Sequence, residues 1–327
     1  MNVLVLGAYG LIGHEISAHL LRNGHSVVGL ARDAAHGQAL LPAARWVSAD
    51  IARLVTPDAW SEHLTGIDAV INASGALQSG ARDNVKAVQL DAIVALVTAC
   101  EQRGVAKFIQ ISAPGADPSA ATEFMRTKGI ADDALRASRL DWVILKPGLV
   151  IAPAAYGGTS LLRALAAVPI VQPVVLPRAR IQTVDVADVA HAVARALTNP
   201  ALIRQSFDLV EPTSATLQDI VLKFRRWLGL AAPRAVFEIP KPLAALLAKL
   251  ADATGLLGWR SPMRTTALTV LAADVVADPS PWQRATGETL KSLDETLARL
   301  PSTRQERSFA RMELAFPILV AVFALFW

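Results

Sequence analysis

Short apolar runs alternate with longer amphipathic stretches through the first half of the chain. The apolar runs lie near residues 2–6, 26–30, 68–72, 107–112 and 141–146. Between them, stretches such as 11–23 and 83–103 repeat apolar positions with the period of a helix. Continuous apolar strands separated by helices are typical of a parallel sheet that is covered on both faces. The pattern therefore predicts an α/β fold with a doubly wound, mostly parallel sheet.

The alternation loosens after Gly148. Residues 152–177 carry several prolines and glycines and predict loops with one helix near 160–168, a place where a substrate lid could be inserted. A strand and helix follow over 180–200, and another strand and helix over 206–229. We therefore divide the chain into a first domain at 1–150, a part at 151–303 that completes the sheet and adds a smaller helical C-terminal part, and a hydrophobic tail at 304–327.

Composition narrows the class of protein. Apolar residues make up 53% of the 327 positions and charged residues 18%, as in a globular chain. The single cysteine excludes a disulfide framework, and the first residues lack the basic segment of a signal peptide, so a cytoplasmic setting is expected. The formal charge is +4, but only Arg304, Arg307 and Arg311 form a dense basic cluster. Nucleic acid is therefore not an expected partner.

The C-terminal tail is uncharged from Leu314 to Trp327. A helix of these 14 residues would rise about 21 Å, less than the ~30 Å hydrocarbon core of a bilayer. The preceding arginines fit a cytoplasmic flank. We predict a membrane anchor, or the start of a membrane domain, that holds the protein at the inner face of a membrane. The alternative is a terminal helix that packs into a groove of the same protein or of a partner.

A glycine-rich loop joins the first predicted strand to the first helix. Gly7 permits a tight turn, Gly10 removes a side chain where a pyrophosphate would approach, and Gly13 lets helix and strand pack closely. The helix N-terminus then faces the anion. This context predicts a Rossmann-type dinucleotide-binding domain over 1–150, the alternative being an ordinary tight turn. The loop residues expected at the cofactor are Gly7, Ala8, Tyr9, Gly10, Leu11, Ile12 and Gly13.

The next two strand ends bear on the choice of dinucleotide. Arg32 stands where an NAD site offers a carboxylate to the ribose, and an arginine there can pair with a 2′-phosphate. NADP(H) is therefore predicted in preference to NAD(H); the alternative is a solvated Arg32 with Asp33 at the ribose. Asp50 and Ile51 would hold the adenine between a carboxylate and an apolar side chain, or Asp50 would cap a helix.

Several motifs in order carry a family resemblance. The loop GAYGLIG, DAVINASG after the fourth strand, FIQISA with Ser112, the segment around Lys128, and WVILKPG resemble an atypical extended short-chain dehydrogenase/reductase over about residues 1–230. The resemblance implies Ala73 and Ser74 near the ribose and nicotinamide, and Pro147 beside the nicotinamide. The chain looks most like the branch that includes the nucleotide-binding accessory subunit of respiratory complex I and bacterial relatives with a hydrophobic C-terminal domain.

The resemblance also exposes a missing group. Active members carry YxxxK, in which the tyrosine gives a proton to the carbonyl and the lysine lowers the pKa of the tyrosine and binds the ribose. Here Lys128 matches and Ser112 matches the serine that orients the carbonyl, but Phe124 takes the tyrosine position. Tyr156 is the remaining candidate for a replacement donor. Lys128 as a solvated helix residue and Ser112 as a cap remain alternatives.

Two functions stay open at this point. One is an NADPH-dependent oxidoreductase on a hydrophobic or membrane-derived substrate, with Ser112, Lys128 and Tyr156 in the catalytic site. The other is a catalytically silent NADP(H)-binding structural or regulatory subunit of a membrane complex, which Phe124 favours. The isolated histidines predict no metal site. Asp132 and Asp133 are assigned to the exposed face of the Lys128 helix.

Overall fold

The computed structural model describes residues 1–76, 79, 84–255 and 265–312. The strands are β1 Asn2–Leu6, β2 Ser26–Ala31, β3 Arg45–Ser48, β4 Ala69–Asn72, β5 Lys107–Ile111, β6 Asp141–Pro147, β7 Leu149–Ile151, β8 Val171–Val174, β9 Arg180–Ile181, β10 Thr183–Asp185, β11 Gln205–Leu209, β12 Ala215–Thr216 and β13 Ala235–Glu238. The helices are α1 Leu11–Arg22, α2 Ala34–Leu40, α3 Pro57–Trp60, α4 Ala92–Arg103, α5 Glu123–Ala137, α6 Gly158–Ala166, α7 Val186–Thr198, α8 Leu217–Trp227, α9 Lys241–Gly255, α10 Thr265–Ala272, α11 Ser280–Thr286 and α12 Leu293–Arg299.

One large sheet organises the molecule. Its seven strands lie in the order β11-β6-β5-β4-β1-β2-β3, and every neighbouring pair is parallel. The chain winds outward in one direction through β1, β2 and β3 and in the other from β4 onward, so a crevice opens at the carboxyl ends of β1 and β4. The predicted Rossmann-type, doubly wound α/β fold is confirmed.

Alternate residues of the central strands enter two separate apolar cores. Val3 and Val5 of β1 pack with α1 and α7 on one face, whereas Leu4 and Leu6 pack with α4 and α5 on the other. A strand that is buried on both faces has a continuous apolar sequence, which is why these strands could be recognised as short apolar runs. The predicted helix at 11–23 matches α1. The one at 83–103 is described from Val85 and contains a π-helical turn at Ala87–Asp91 before α4.

A third core belongs to the second half of the chain. It joins α6, α8 and α12 around buried residues such as Ile151, Phe224 and Leu293. Three two-stranded sheets lie in this part, namely β7 with β10, β9 with β12 and β8 with β13. The helix predicted near 160–168 is α6. This second lobe follows the carboxyl end of β6, beside the crevice.

The C-terminal tail is described only at its beginning. Residues 304–312 are helical, with Phe309 and Met312 exposed. The predicted anchor at Leu314–Trp327 lies outside the described residues. Among the helices that the structure describes, none is long and apolar enough to cross a bilayer.

Candidate cofactor site

The glycine loop closes the amino end of α1 over the carboxyl end of β1. Gly7 has φ +70°, and its carbonyl accepts a hydrogen bond from the Gly10 N–H at 2.8 Å. A Cβ on Gly13 would lie 2.2 Å from the Gly7 carbonyl oxygen. Gly10 is the N-cap of α1 and has no side chain to cap the first turn. The first N–H groups of α1 therefore lack a side-chain acceptor, which suits a pyrophosphate at the helix N-terminus.

The remaining loop residues line this turn. Ala8 is fully buried beneath the loop, and Leu11 and Ile12 are half-buried in the first turn of α1. The Tyr9 ring stacks on Trp46 of β3 at a centroid distance of 6.2 Å and meets His36 edge-on at 5.6 Å. Tyr9 therefore forms one wall at the end of the crevice where an adenosine would lie.

The strand beside the loop forms the floor of the crevice. A Cβ on Gly7 would lie 2.8 Å from the Ala73 carbonyl, so the loop and the end of β4 are in direct contact. Ser74 follows and donates its hydroxyl to the Asn72 carboxamide oxygen at 2.6 Å. Asn72 in turn donates to Gln110 at 2.9 Å. These buried hydrogen bonds fix the backbone at residues 73–74, which the family resemblance places near the ribose.

Arg32 and Asp33, the two alternative partners for the adenosine ribose, lie next to each other after β2. Arg32 is exposed at the end of β2, and its backbone carbonyl accepts from the Ser48 hydroxyl. The Asp33 carboxylate accepts from the His36 N–H at 2.8 Å and caps α2, so it already has a local partner. Asp50 likewise accepts from the Ala52 N–H at 3.1 Å and caps a 3₁₀ turn at Ile51–Arg53. The capping alternative for Asp50 is thus confirmed.

Ser112 and Asp132 meet at the end of the crevice where the family resemblance implies the nicotinamide. Ser112 follows β5, and its hydroxyl donates to Asp132 Oδ2 at 2.6 Å. Asp132 is 0% exposed and Ser112 4% exposed. Burial raises the pKa of Asp132, and the Ser112 hydrogen bond and the nearby Lys128 charge oppose that rise. Asp132 is therefore not on the exposed face of α5, and our sequence assignment was wrong; the neighbouring Asp133 is exposed and pairs with Arg136.

Lys128 lies one helical turn before Asp132 on α5. Its ammonium donates to the Ile111 carbonyl at 2.9 Å and lies 5.7 Å from the centre of the Phe124 ring. Burial lowers the pKa of Lys128 to about 8, and Asp132 partly offsets this effect. A Cβ on Gly75 would lie 3.9 Å from the Lys128 ammonium, which connects the lysine to the floor of the crevice. The alternative of a solvated Lys128 is wrong.

Gln89 is a site residue that sequence reasoning missed. It lies in the π-helical turn before α4, and a Cβ on Gly75 would lie 3.9 Å from its amide nitrogen. That nitrogen donates to the Ala76 carbonyl, and its buried carbonyl oxygen has no hydrogen-bond partner among the described residues. Such π turns often occur at functional sites, but no residue pattern announces one.

Two further predicted residues lie at the margins. Pro147 ends β6 and is buried, next to Gly148, whose N–H donates to the Leu209 carbonyl. Tyr156 is 59% exposed in the loop before α6. Within the described part of the chain, no hydrogen bond or ring contact joins Tyr156 to Ser112 or Lys128. The structure thus brings Ser112, Lys128 and Asp132 together and leaves Tyr156 outside the group.

The arrangement fits a dinucleotide along one continuous path. Backbone N–H groups face the diphosphate position, the end of β4 supports the ribose position, and a buried lysine and serine lie at the far end. A bound reduced dinucleotide would supply a hydride there. The ring of Phe124 has no proton to give, so the group that receives the hydride must obtain its proton from elsewhere.

Comparison with known proteins agrees with this geometry. The profile of a family described as NAD(P)H-binding matches residues 7–200, more than half of the chain. Photosystem II assembly factor Ycf39 from Synechocystis sp. is 29% identical over 147 residues, which cover 45% of this chain and 44% of that protein. The same factor from Guillardia theta is 26% identical over 266 residues and 79% of each chain. The chain thus spans less than half of the Synechocystis relative.

Another relative is an enzyme, and a solved structure shares the fold. The NAD(P)H azoreductase of Xenophilus azovorans is 25% identical over 212 residues, which cover 64% of this chain and 68% of that protein. The crystal structure of Bordetella bronchiseptica WbmH in complex with NAD⁺ superposes with a TM-score of 0.68 at 18% identity, over 91% of this chain and 96% of that one. At this identity the match shows the fold alone.

Proposed function

Because the chain belongs to the NAD(P)H-binding family, we propose that it is an NAD(P)H-dependent oxidoreductase of the short-chain dehydrogenase/reductase type. The observation that carries this proposal is the buried group of Ser112, Lys128 and Asp132 at the nicotinamide end. Burying a lysine and a carboxylate is costly. A chain that needed only a folded Rossmann domain would have no physical reason to bear that cost at this position.

The acceptor is a hydrophobic molecule that is already activated for reduction. General acid catalysis typically contributes ~10² to 10⁴ in rate, so an acceptor of low reactivity, such as a simple ketone, is reduced slowly without the tyrosine. A quinone or an azo compound accepts a hydride more readily, and the azoreductase relative acts on a substrate of the latter class by its name. Ser112 orients the acceptor, and Lys128 binds the nicotinamide ribose.

The preferred cofactor is NADP(H). Arg32 directly follows β2, and its side chain is exposed where a 2′-phosphate can pair with it. Asp33, the carboxylate that would favour NAD(H), is engaged in capping α2. The cap uses only Oδ1 of that carboxylate, so the preference for NADP(H) depends on Arg32 and not on the cap.

The test is NAD(P)H oxidation measured against a panel of acceptors. We expect turnover with menadione and with an azo dye, and at least tenfold less turnover with cyclohexanone. Lys128→Met should abolish turnover and weaken dinucleotide binding. Lys86→Met is the matched control, since Lys86 is an exposed lysine that pairs with Asp91. Tight dinucleotide binding without turnover on any acceptor would refute the oxidoreductase proposal.

The second candidate is a catalytically silent NADP(H)-binding subunit of a membrane complex. Phe124 at the tyrosine position, with Tyr156 in an exposed loop, is the observation that favours it. The Ycf39 relatives are assembly factors by name, which fits a cofactor-binding protein that acts through partners. In this proposal the apolar C-terminal tail tethers the protein to the inner face of a membrane.

Cell fractionation separates the tethered form from a freely soluble one. The full chain should sediment with membranes and require detergent for release, whereas a version that ends at Arg304 should not. Equal solubility of both forms without detergent would contradict the tether. If the tether holds and no acceptor is reduced, the silent-subunit function replaces the oxidoreductase.

A further inference from the structure

We propose that Asp132 is a positioning residue that holds a proton in reserve for Ser112, which gives its own proton to an activated acceptor as a weaker acid than the missing tyrosine. The inference rests on the proposed oxidoreductase function. No motif pointed to Asp132, because its place four residues after Lys128 looks like one more polar position on a helix. The contact between α5 and the end of β5 gives it this role.

The two oxygens of the Asp132 carboxyl have different surroundings. Oδ2 lies 2.6 Å from the Ser112 hydroxyl oxygen, whereas Oδ1 is buried and has no hydrogen-bond partner among the described residues. An ionised carboxylate with one oxygen unpartnered in a buried site is costly. A neutral carboxyl leaves only a carbonyl oxygen unpartnered and can donate its hydroxyl to Ser112. The geometry therefore favours a proton on Oδ2.

The charges that face Asp132 come from two elements. Lys128 and Arg136 lie on α5 itself, and Lys146 lies on β6; all three favour the ionised form. The Ser112 hydrogen bond from the end of β5 acts in the same direction. Burial outweighs these effects, and the pKa of Asp132 is raised from its ordinary value.

The protonation state of Asp132 decides what Ser112 can do. When Asp132 is ionised, the Ser112 hydroxyl donates to it and presents only lone pairs to an acceptor. When Asp132 is protonated, it donates to Ser112 Oγ and frees the serine O–H to point toward the acceptor. The proton that Ser112 needs is thus stored behind it, out of contact with solvent.

The proton balance closes for a carbonyl or quinone acceptor. The bound reduced dinucleotide supplies the hydride, and the electron pair of the acceptor C=O π bond moves to its oxygen. That oxygen takes the Ser112 hydroxyl proton, and Ser112 takes the Asp132 proton. The ionised Asp132 is then stabilised by Lys128, and after the product leaves it regains a proton from the open crevice through the Ser112 hydroxyl. The sum is acceptor, NAD(P)H and one proton going to reduced acceptor and NAD(P)⁺.

Infrared spectroscopy of protein labelled with ¹³C at the aspartate carboxyls tests the proton position without any turnover. At pH 7 we expect a protonated carboxyl C=O band that is absent from Asp132→Asn. Asp133→Asn is the matched control, because Asp133 is the exposed neighbour on the same helix, and it should keep the band. If the wild-type chain shows only ionised carboxylates at pH 7, the proposal is overturned. This readout does not depend on whether an acceptor is known.

The pH profile of kcat with menadione provides the second test. Wild-type kcat should fall as the pH rises through the pKa of Asp132, since the reserve proton is then lost. Asp132→Asn should lower kcat about 10²-fold, the scale of a positioned acid, abolish this fall and leave the Kd of the dinucleotide unchanged. Adding Phe124→Tyr to Asp132→Asn should restore kcat, because the phenol donates directly. A wild-type profile in Asp132→Asn would overturn the proposal.

Two outcomes keep this inference separate from the proposed function. If the wild-type chain binds dinucleotide but reduces no acceptor, the oxidoreductase function fails, and the delivery step through Ser112 fails with it. If the wild-type chain turns over and Asp132→Asn does so equally, only the role of Asp132 fails. Should Asp132→Asn not fold, Ser112→Ala, which leaves Asp132 in place, must show the same loss of kcat and of its pH dependence for the proposal to stand.

Discussion

The two ends of the cofactor crevice are built from different parts of the chain. At the phosphate end the groups that face the ligand are backbone N–H groups, and the side chains at Gly7, Gly10 and Gly13 are absent because there is no room for them. At the proposed nicotinamide end the groups are side chains: Ser112 donates to Asp132, and Lys128 donates to the Ile111 carbonyl of β5. In the proposed function, binding therefore depends on the backbone path, and chemistry depends on a few side chains.

This difference explains how one end can match the family pattern while the other departs from it. A substitution in the glycine loop moves the backbone itself and removes the site. The exchange that leaves Phe124 at the tyrosine position alters one ring and leaves α5 in place, with Lys128 still facing that ring. Reaction type can therefore change on this fold while dinucleotide binding is kept.

The largest effect is expected from Gly13→Ala at the phosphate end. A Cβ there would lie 2.2 Å from the Gly7 carbonyl oxygen and 2.8 Å from its carbon, and both atoms belong to the backbone. The ~1 kcal/mol that alanine gains over glycine in a helix cannot offset this clash, which we expect to cost about 3 kcal/mol or more. Dinucleotide affinity should fall by more than 10²-fold, as measured by calorimetric titration.

Gly158→Ala provides the control for that substitution. Gly158 begins α6, and a Cβ there would meet nothing within 4 Å. Its free energy of unfolding and its dinucleotide affinity should stay near the wild-type values. If Gly13→Ala bound the dinucleotide as tightly as Gly158→Ala does, the backbone account of the phosphate end would be wrong.

The second effect concerns Lys128, whose burial is expected to lower the stability of the protein while it serves the proposed function. The pKa of Lys128 is about 8 in the folded protein and 10.5 when exposed, so between these values the unfolded chain binds more protons. The free energy of unfolding therefore rises from pH 8 to pH 10.5, and below pH 8 the buried charge costs on the order of 3 kcal/mol. Lys128→Met removes this cost and loses the hydrogen bond to Ile111, worth about 1 kcal/mol.

We therefore expect Lys128→Met to be more stable than the wild type by about 1 to 2 kcal/mol at pH 7. The difference should shrink as the pH rises toward 10.5, because the lysine of the folded protein is then neutral and the cost of its buried charge is gone. Urea unfolding at pH 7 and pH 9.5 measures it, with Lys86→Met as the exposed control. A variant that is less stable than the wild type at pH 7 would show that the Lys128 charge is well compensated by Asp132.

How far the sequence predicts this molecule depends on whether a signal is local. The strands and the helices α1 and α4 follow from the apolar pattern, and Gly7, Gly10 and Gly13 from spacing within one turn. Asp132 and Asp133 are indistinguishable in the sequence, since both are acidic residues that follow Lys128 on one helix. Only the packing of α5 against β5 buries the first and leaves the second in solvent.

The π-helical turn that contains Gln89 was not predicted from the sequence, for a similar reason. Its residues have ordinary helical character, so the sequence pattern gives no sign of the departure from α geometry at Ala87–Asp91. Arg32 and Asp33 are different again, because their place at the strand end was predictable and their partners were not. The place of a residue along a helix or strand can thus be predicted from the local sequence pattern. Its burial and its hydrogen-bond partners depend on how the elements pack in the complete fold.

The third effect concerns Phe124, the one residue at the proposed nicotinamide end that departs from the family motif. Phe124→Tyr adds one hydroxyl to a half-buried ring that already faces Lys128. The phenol becomes a proton donor beside a cation that lowers its pKa, so turnover on a simple ketone should rise roughly 10- to 100-fold, within the range for a general acid. Steady-state NADPH oxidation with cyclohexanone measures it. Unchanged turnover with unchanged cofactor binding would mean that the acceptor does not reach residue 124.

The smallest effect concerns the adenosine end, where a single exposed side chain is expected to choose between two dinucleotides. Arg32→Ala should weaken NADP(H) binding roughly tenfold and leave NAD(H) binding almost unchanged, because an exposed charge-assisted contact to a 2′-phosphate is largely screened by water and salt. Arg45→Ala, at the opposite end of the neighbouring strand, removes the same charge from an exposed site and should alter neither affinity. Titration of both dinucleotides at low and high salt distinguishes the two variants. Equal affinities of the wild-type chain for NAD(H) and NADP(H) would contradict the assignment, and Asp33, which caps α2 through Oδ1 only, would then be the candidate to bind the ribose through Oδ2.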